Sequence, residues 1–117
     1  MTPEDLKKRT KQFGLRVIQL VEALPKTQTT AVIGKQLLRC ATSIGANYRA
    51  ACRSKSRADF IAKLGIVEEE ADESIYWLEM LVETKAVKPG SVAKLLKEAH
   101  ELTAIIVSSR ITAKKNR

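Results

Sequence analysis

The sequence predicts an all-α fold, an antiparallel up-down-up-down four-helix bundle, and three observations carry that prediction. Apolar residues make up 44% of the chain but aromatics only 4%, with five Gly and three Pro, a balance that suits helices better than turn-rich sheets. Apolar side chains recur at spacings of three and four in four separate segments. The breaks between these segments are short and polar, which favours antiparallel neighbours. A chain of 117 residues fits one domain, 1–117, with helices expected at about 3–24, 31–52, 57–86 and 91–112.

The first helix opens on Thr2-Pro3-Glu4-Asp5: a hydroxyl at the cap, a proline where its missing N–H costs nothing, then acids at the positive end of the dipole. Leu6, Phe13, Val17, Leu20 and Leu24 form its apolar stripe, widened by Ile18 and Val21. Lys7, Lys8, Arg9, Lys11 and Arg16 fall off that stripe and read as a solvated face. Pro25 to Thr30 is a polar connection in which Thr29 or Thr30 is expected to cap the second helix.

The second helix carries two seams. Ile33, Leu37, Cys40, Ala41, Ile44, Tyr48, Ala51 and Cys52 make the apolar one. Lys35, Arg39, Thr42, Ala46, Arg49 and Arg53 recur at four, three, four, three, four on another face. Ala41, Ser43, Gly45 and Ala46 form a small-residue patch, and a glycine inside a helix costs up to about 1 kcal/mol relative to alanine, so it implies the close approach of another backbone. The third helix, the fourth, or a second copy of the chain are the neighbours it suggests.

Ser56-Arg57-Ala58-Asp59 has the layout of a capping box at the start of the third helix. There Phe60, Leu64, Val67, Ala71, Ile75, Leu78 and Leu81 or Val82 share one stripe, while Ile61, Ile66, Trp77 and Met80 lie elsewhere on the circumference. A helix apolar on more than one side needs more than one neighbour, which makes Ile66 and Trp77 candidates for an oligomer interface. Lys85 to Ser91 holds the only Pro-Gly turn, after which Ser91 is expected to cap the last helix. Val92, Leu95, Leu96, Ala99, Leu102, Ile105 or Ile106 and Ser109 form its face, and the tail from Arg110 to Arg117 is expected to fray.

Charge is unevenly spread. The net charge is +8, residues 31–57 hold six Lys/Arg and no Asp/Glu, and residues 58–86 hold two against eight. A basic surface attracts phosphate backbones, and this one makes Lys35, Arg39, Arg49 and Arg53 the candidate nucleic-acid contacts. Arg39 is also the residue most suited to an internal ion pair with the third helix. The opposing reading is a solvated face, or cations matched by those acids within or between subunits.

Other chemistries find little support. Glu69 with Asp72 or Glu73, and Glu70 with Glu73, share helix faces, but a dimetal bundle needs Glu-x-x-His on two helices and His100 is the only histidine, with Lys97 three positions before it. No metal, cofactor or catalytic residue is assigned, and the chain reads as no enzyme. Cys40 and Cys52, twelve positions apart on one helix, stand about 18 Å apart, too far for a disulfide, and read as free thiols of a reducing compartment. No run reaches the length of a membrane span and the N-terminus lacks a secretory signal, so a cytoplasmic protein without a membrane partner is expected.

The segment RCATSIGANYRAACRSKSRADF at 39–60, above all Arg39, Ser43, Ile44, Asn47 and the Ser56-to-Phe60 helix start, together with GIVEEEADESIYWLEML at 65–81, resembles the family of proteins encoded by intervening sequences within bacterial 23S rRNA genes. The accessory variability determinant of diversity-generating retroelements is a structural relative. The resemblance spans nearly the whole chain and implies a four-helix bundle that assembles as a homopentamer. The retroelement relative binds a reverse transcriptase and nucleic acid through a basic surface, which implies RNA or DNA and such a protein as partners here, with Arg39, Arg49 and Arg53 at the matching positions. Family members often carry an acidic residue and a glycine soon after the asparagine; this chain has Tyr48-Arg49-Ala50-Ala51 and is more basic there. The leading expectation is thus a non-enzymatic, oligomeric bundle that binds nucleic acid through its second helix, and the alternative is a structural or protein-binding homo-oligomer.

Overall fold

In a computed structural model, which describes residues 1–116, four helices follow one another: α1 Pro3–Glu22, α2 Gln28–Cys52, α3 Arg57–Glu83 and α4 Pro89–Lys115. Each packs on its sequence neighbour, α4 closes the ring against α1 with the thinnest contact, and the backbones of the diagonal pairs stay more than 8 Å apart, Cα to Cα. The result is an all-α bundle shaped as a rod 47 Å long and 20 Å across.

The core is the sum of the inward stripes. Phe13 and Val17 of α1, Leu37, Cys40 and Ile44 of α2, Leu64, Val67 and Leu78 of α3, and Leu102 and Ile106 of α4 are wholly buried. In α3 the seam includes Ile61 and Ser74, whereas Phe60 is only half-buried, so the inward face is rotated by one residue from the expected stripe at its start. Cys40 and Cys52 are both free thiols.

Helix ends depart from the expected boundaries for local reasons. Thr27, not Thr29 or Thr30, caps α2: its Oγ1 accepts from Thr30 N at 3.1 Å and Thr30 Oγ1 accepts from Thr27 N at 3.1 Å. Thr30 also donates to the Pro25 carbonyl, which fixes the turn. At α3 only half of the expected box forms: Ser56 accepts from Asp59 N, while the Asp59 carboxylate turns to Lys63 Nζ at 2.7 Å. α3 stops at Glu83 because Lys85 takes a left-handed conformation, φ 63°. Lys85 N–H donates to Val82 O and Ala86 N–H to Leu81 O, the paired closing bonds of a Schellman turn. α4 then begins at Pro89, whose fixed φ suits a first helical position, and Ser91 falls inside the first turn rather than at the cap. Nor does the tail fray as far as Lys115: Ala113 is buried and Arg110 Nη1 reaches Glu68 Oε1 of α3 at 3.0 Å. Arg117 lies outside the described residues.

Within the chain, Gly45 and Ala41 of the small-residue patch of α2 face α1 rather than α3 or α4. A Cβ on Gly45 would stand 3.3 Å from Lys11 N and 3.4 Å from Thr10 C, both backbone atoms of α1. One turn along, Gly14 lies against Ala41 O and Thr42 Cα. Small residues on both helices bring the two backbones together, and that approach shapes the surface above them.

Candidate nucleic-acid interface

The four cations of the α2 stripe do not share one surface. Lys35 is exposed near the α1–α2 turn, in a hollow that Glu22 and Lys26 also line. Arg39 leans towards α3, its Nη2 donating to Glu73 Oε1 at 2.6 Å and its Nη1 to Glu70 Oε2 at 3.4 Å. Arg49 leans the other way, over α1. Arg53 is the exposed C-cap of α2 and, like Arg49, has no carboxylate partner among the described residues. The split follows from helix geometry: ten residues at 100° each leave Arg39 and Arg49 about 80° apart around the axis.

The Arg39 pair is a cross-helix tie. The Glu73 hydrogen bond holds the Arg39 guanidinium firmly charged, raising its pKa above the ordinary value. The half-buried Glu70 carboxyl is instead raised, because burial outweighs the attraction of Arg39. Arg39 is thereby partly neutralised as an anion contact.

Arg49 belongs to a groove of about 400 Å³ between α1 and α2, with Lys7, Lys8 and Lys11 on its α1 side. Gly14, Gly45 and Ala46 form a floor that no side chain fills, and Leu15 and Ile18 extend it as exposed apolar surface. No Asp or Glu lines it. Lys7 is held by Glu4 at 2.9 Å, whereas Lys8 and Lys11 have no ion pair among the described residues. Four cations over an uncharged trough can neutralise successive phosphates, with the backbone contact supplying most of the affinity.

Lys7, Lys8 and Lys11 were legible only as a solvated face. A signal for them was present: Lys7, Lys11, Gly14 and Ile18 recur at four, three, four, matching Thr42, Gly45 or Ala46, and Arg49 on α2. Two small-residue faces with flanking cations pair naturally, but only the fold says that they do.

Elsewhere, α3 presents a mixed face. Ile66 is 42% and Tyr76 52% exposed, among Glu69, Asp72 and Glu79. Trp77 is half-buried, edge-on to Tyr76 at 5.0 Å between centroids, with its indole N–H shielded and without an acceptor. Burial pushes the Cys40 thiol up, although Ser74 Oγ donates to its Sγ at 3.3 Å, so it is an unreactive core group. His100 is exposed. Among the described residues no three His, Cys, Asp or Glu side chains gather as a metal site, and no helix is long and apolar enough to cross a membrane.

Three comparisons bear on this arrangement. The model of a family described as 23S rRNA-intervening sequence protein matches residues 4–108. A crystal structure from Bacteroides thetaiotaomicron, of a protein of unknown function in the S23 ribosomal protein family, is 36% identical and superposes with a TM-score of 0.87, over 94% of this chain and 98% of that one. No curated protein matches the chain.

Proposed function

The chain belongs to the 23S rRNA-intervening sequence protein family, and from that premise we propose that it is a non-enzymatic, oligomeric bundle that binds nucleic acid along the α1–α2 groove. The observation that carries this reading is the gathering of Lys7, Lys8, Lys11 and Arg49 around a trough with no carboxylate in its lining. Lys35 near the α1–α2 turn and Arg53 at the C-cap of α2 are further exposed cations for phosphate, and Arg39 contributes least because Glu70 and Glu73 already hold it. Contacts of this kind read the backbone, so affinity depends on salt far more than on sequence.

The test is binding of RNA and DNA oligonucleotides between about 50 and 200 mM salt, where four neutralised phosphates on a single strand give a slope of about −3 in log K against log salt. The charge reversals Lys8→Glu, Lys11→Glu and Arg49→Glu together should abolish binding while leaving the helical signal intact. Salt-insensitive binding, or full binding by that triple variant, removes the groove from the function.

A second reading is favoured by the outer face of α3. Ile66 and Tyr76 are exposed among acids, whereas Leu15 and Ile18 are exposed among cations. These surfaces are complementary in charge, and one copy can seat its α3 against the groove of the next, generating a closed ring if the rotation permits. Trp77 would then support the contact from beneath Tyr76. Native mass measurement across the micromolar range decides it: a single monomer mass throughout removes the oligomer.

A further inference from the structure

A second cleft, of about 860 Å³, opens at the end of the bundle where α1 and α3 begin and α2 and α4 end. Its chemistry differs from that of the groove. Lys55 and Arg57 supply positive charge, Lys7 is paired with Glu4 at 2.9 Å, and no Asp or Glu is itself among the lining residues. α3 starts at its rim with Ser56, adding the partial positive charge of a helix N-terminus.

The interior carries two hydroxyls, those of Ser54 and Tyr48, that a ligand oxygen can engage. Ser54 Oγ is shielded from solvent and stands beside the Asp59 carboxylate, which Lys63 Nζ holds at 2.7 Å. Tyr48 is only 5% exposed, and the polar neighbour of its hydroxyl is the Cys52 thiol, a weak partner. A ligand oxygen is a stronger partner for the Tyr48 hydroxyl than a thiol is. Half-buried Phe60 adds an aromatic wall. Cations, hydroxyl donors and a ring face together match a nucleotide: phosphate at Lys55 and Arg57, base on Phe60.

Lys7 lines both the cleft and the α1–α2 groove, so the two form one basic track. The track runs along the bundle axis and then turns into its end. Duplex DNA, with a persistence length of about 150 base pairs, does not follow such a turn, whereas a single strand does. Resting on the nucleic-acid reading of the groove, we propose that the end cleft captures the phosphorylated terminus of a single nucleic-acid strand whose backbone lies along α1 and α2.

The test compares short single strands carrying a 5′-phosphate, a 3′-phosphate or only hydroxyl termini, with a circular strand and a blunt duplex as controls. One terminal phosphate should raise affinity at least about tenfold, the equivalent of one charge-assisted hydrogen bond. Lys55→Gln with Arg57→Gln should erase that increment, so that phosphate-ended strands bind no better than hydroxyl-ended ones; Lys8→Glu with Lys11→Glu should weaken every strand alike and leave the increment in place. Cys52 gives a separate readout, since it lines the cleft while Cys40 is fully buried. A nucleoside monophosphate should slow alkylation of Cys52 in the wild type and not in the Lys55/Arg57 variant. Equal affinity for phosphorylated and hydroxyl ends, or an increment that survives the double substitution, overturns the cleft. If no strand binds yet the monophosphate protects Cys52, strand capture fails with the groove, and only a mononucleotide site is left. Absence of both effects overturns the two together.

Discussion

Gly45 on α2 faces Lys11 on α1 so closely that a Cβ would lie 3.3 Å from the Lys11 backbone nitrogen. Backbone cannot swing aside as a side-chain tip does, so anything larger than a methyl must separate the helices. Gly45→Leu is expected to cost about 1–3 kcal/mol in chemical denaturation and to weaken binding at the groove, whose floor it fills. Gly45→Ala should stay within about 1 kcal/mol of wild type, because the better helix propensity of alanine offsets a shift of a few tenths of an ångström. A Gly45→Leu protein as stable as wild type would contradict this packing.

The α1–α4 seam is the thinnest of the four, and a forked ion pair spans it. Arg9 Nε and Nη2 donate to the two Glu98 oxygens, both at 2.7 Å, and Nη2 also reaches Glu101 at 3.3 Å. The hydrogen bond from Arg9 holds the Glu98 carboxyl below its ordinary value. Its folded pKa is therefore depressed, so its contribution is present above the unfolded value of 4.5 and is lost as pH falls through the folded one. Glu98→Gln should destabilise the bundle by about 1–2 kcal/mol at neutral pH, and the gap to wild type should close below that window. Denaturation midpoints of the two proteins, measured from neutral to acid pH, check both statements.

Lys85 closes α3 from a conformation that disfavours any side chain with a Cβ, at φ 63°. Its two closing hydrogen bonds depend on the backbone alone, so glycine can make them without the steric cost. Lys85→Gly should raise stability by about 0.5–1 kcal/mol with no change in nucleic-acid binding. A loss of stability would show that Lys85 is kept for a contact rather than tolerated at a turn.

Arg39 and Arg49 provide the sharpest comparison for the proposed interface. Arg49 has no carboxylate partner among the described residues and overlooks the groove, whereas Arg39 is tied to Glu73 and Glu70. Arg49→Gln should reduce the steepness of the salt dependence by about one contact, and Arg39→Gln should leave it nearly unaltered. Equal effects from the two would mean that the stripe acts as one surface despite the ion pair.

The basic stripe of α2 shows where sequence reasoning stopped. Lys35, Arg39, Arg49 and Arg53 fall within a sector of about 80° around the helix axis, a spread wide enough to divide them among the turn hollow, the α3 tie, the groove and the exposed cap. The end of α3 was missed in a different way: the Pro-Gly pair drew the boundary towards Ala86, while the chain turned earlier at a residue with no left-handed signature. Thr27 was passed over as the cap because three threonines crowd the connection and only the reciprocal bond with Thr30 separates them.

What the sequence by itself determined is therefore the class of fold, the four helices and their apolar seams, since these depend on periodicity about each helix's own axis. What only the tertiary structure decided is that Lys7, Lys8 and Lys11 stand opposite Arg49, that Arg39 belongs to α3, and that an end cleft joins the same track. The physical reason is that periodicity fixes which side chains share a face, but not which neighbour that face meets. Here the meeting of Gly14 with Ala41 and Thr42, and of Gly45 with Lys11, brings two ordinary lysine-bearing turns to the edge of one groove.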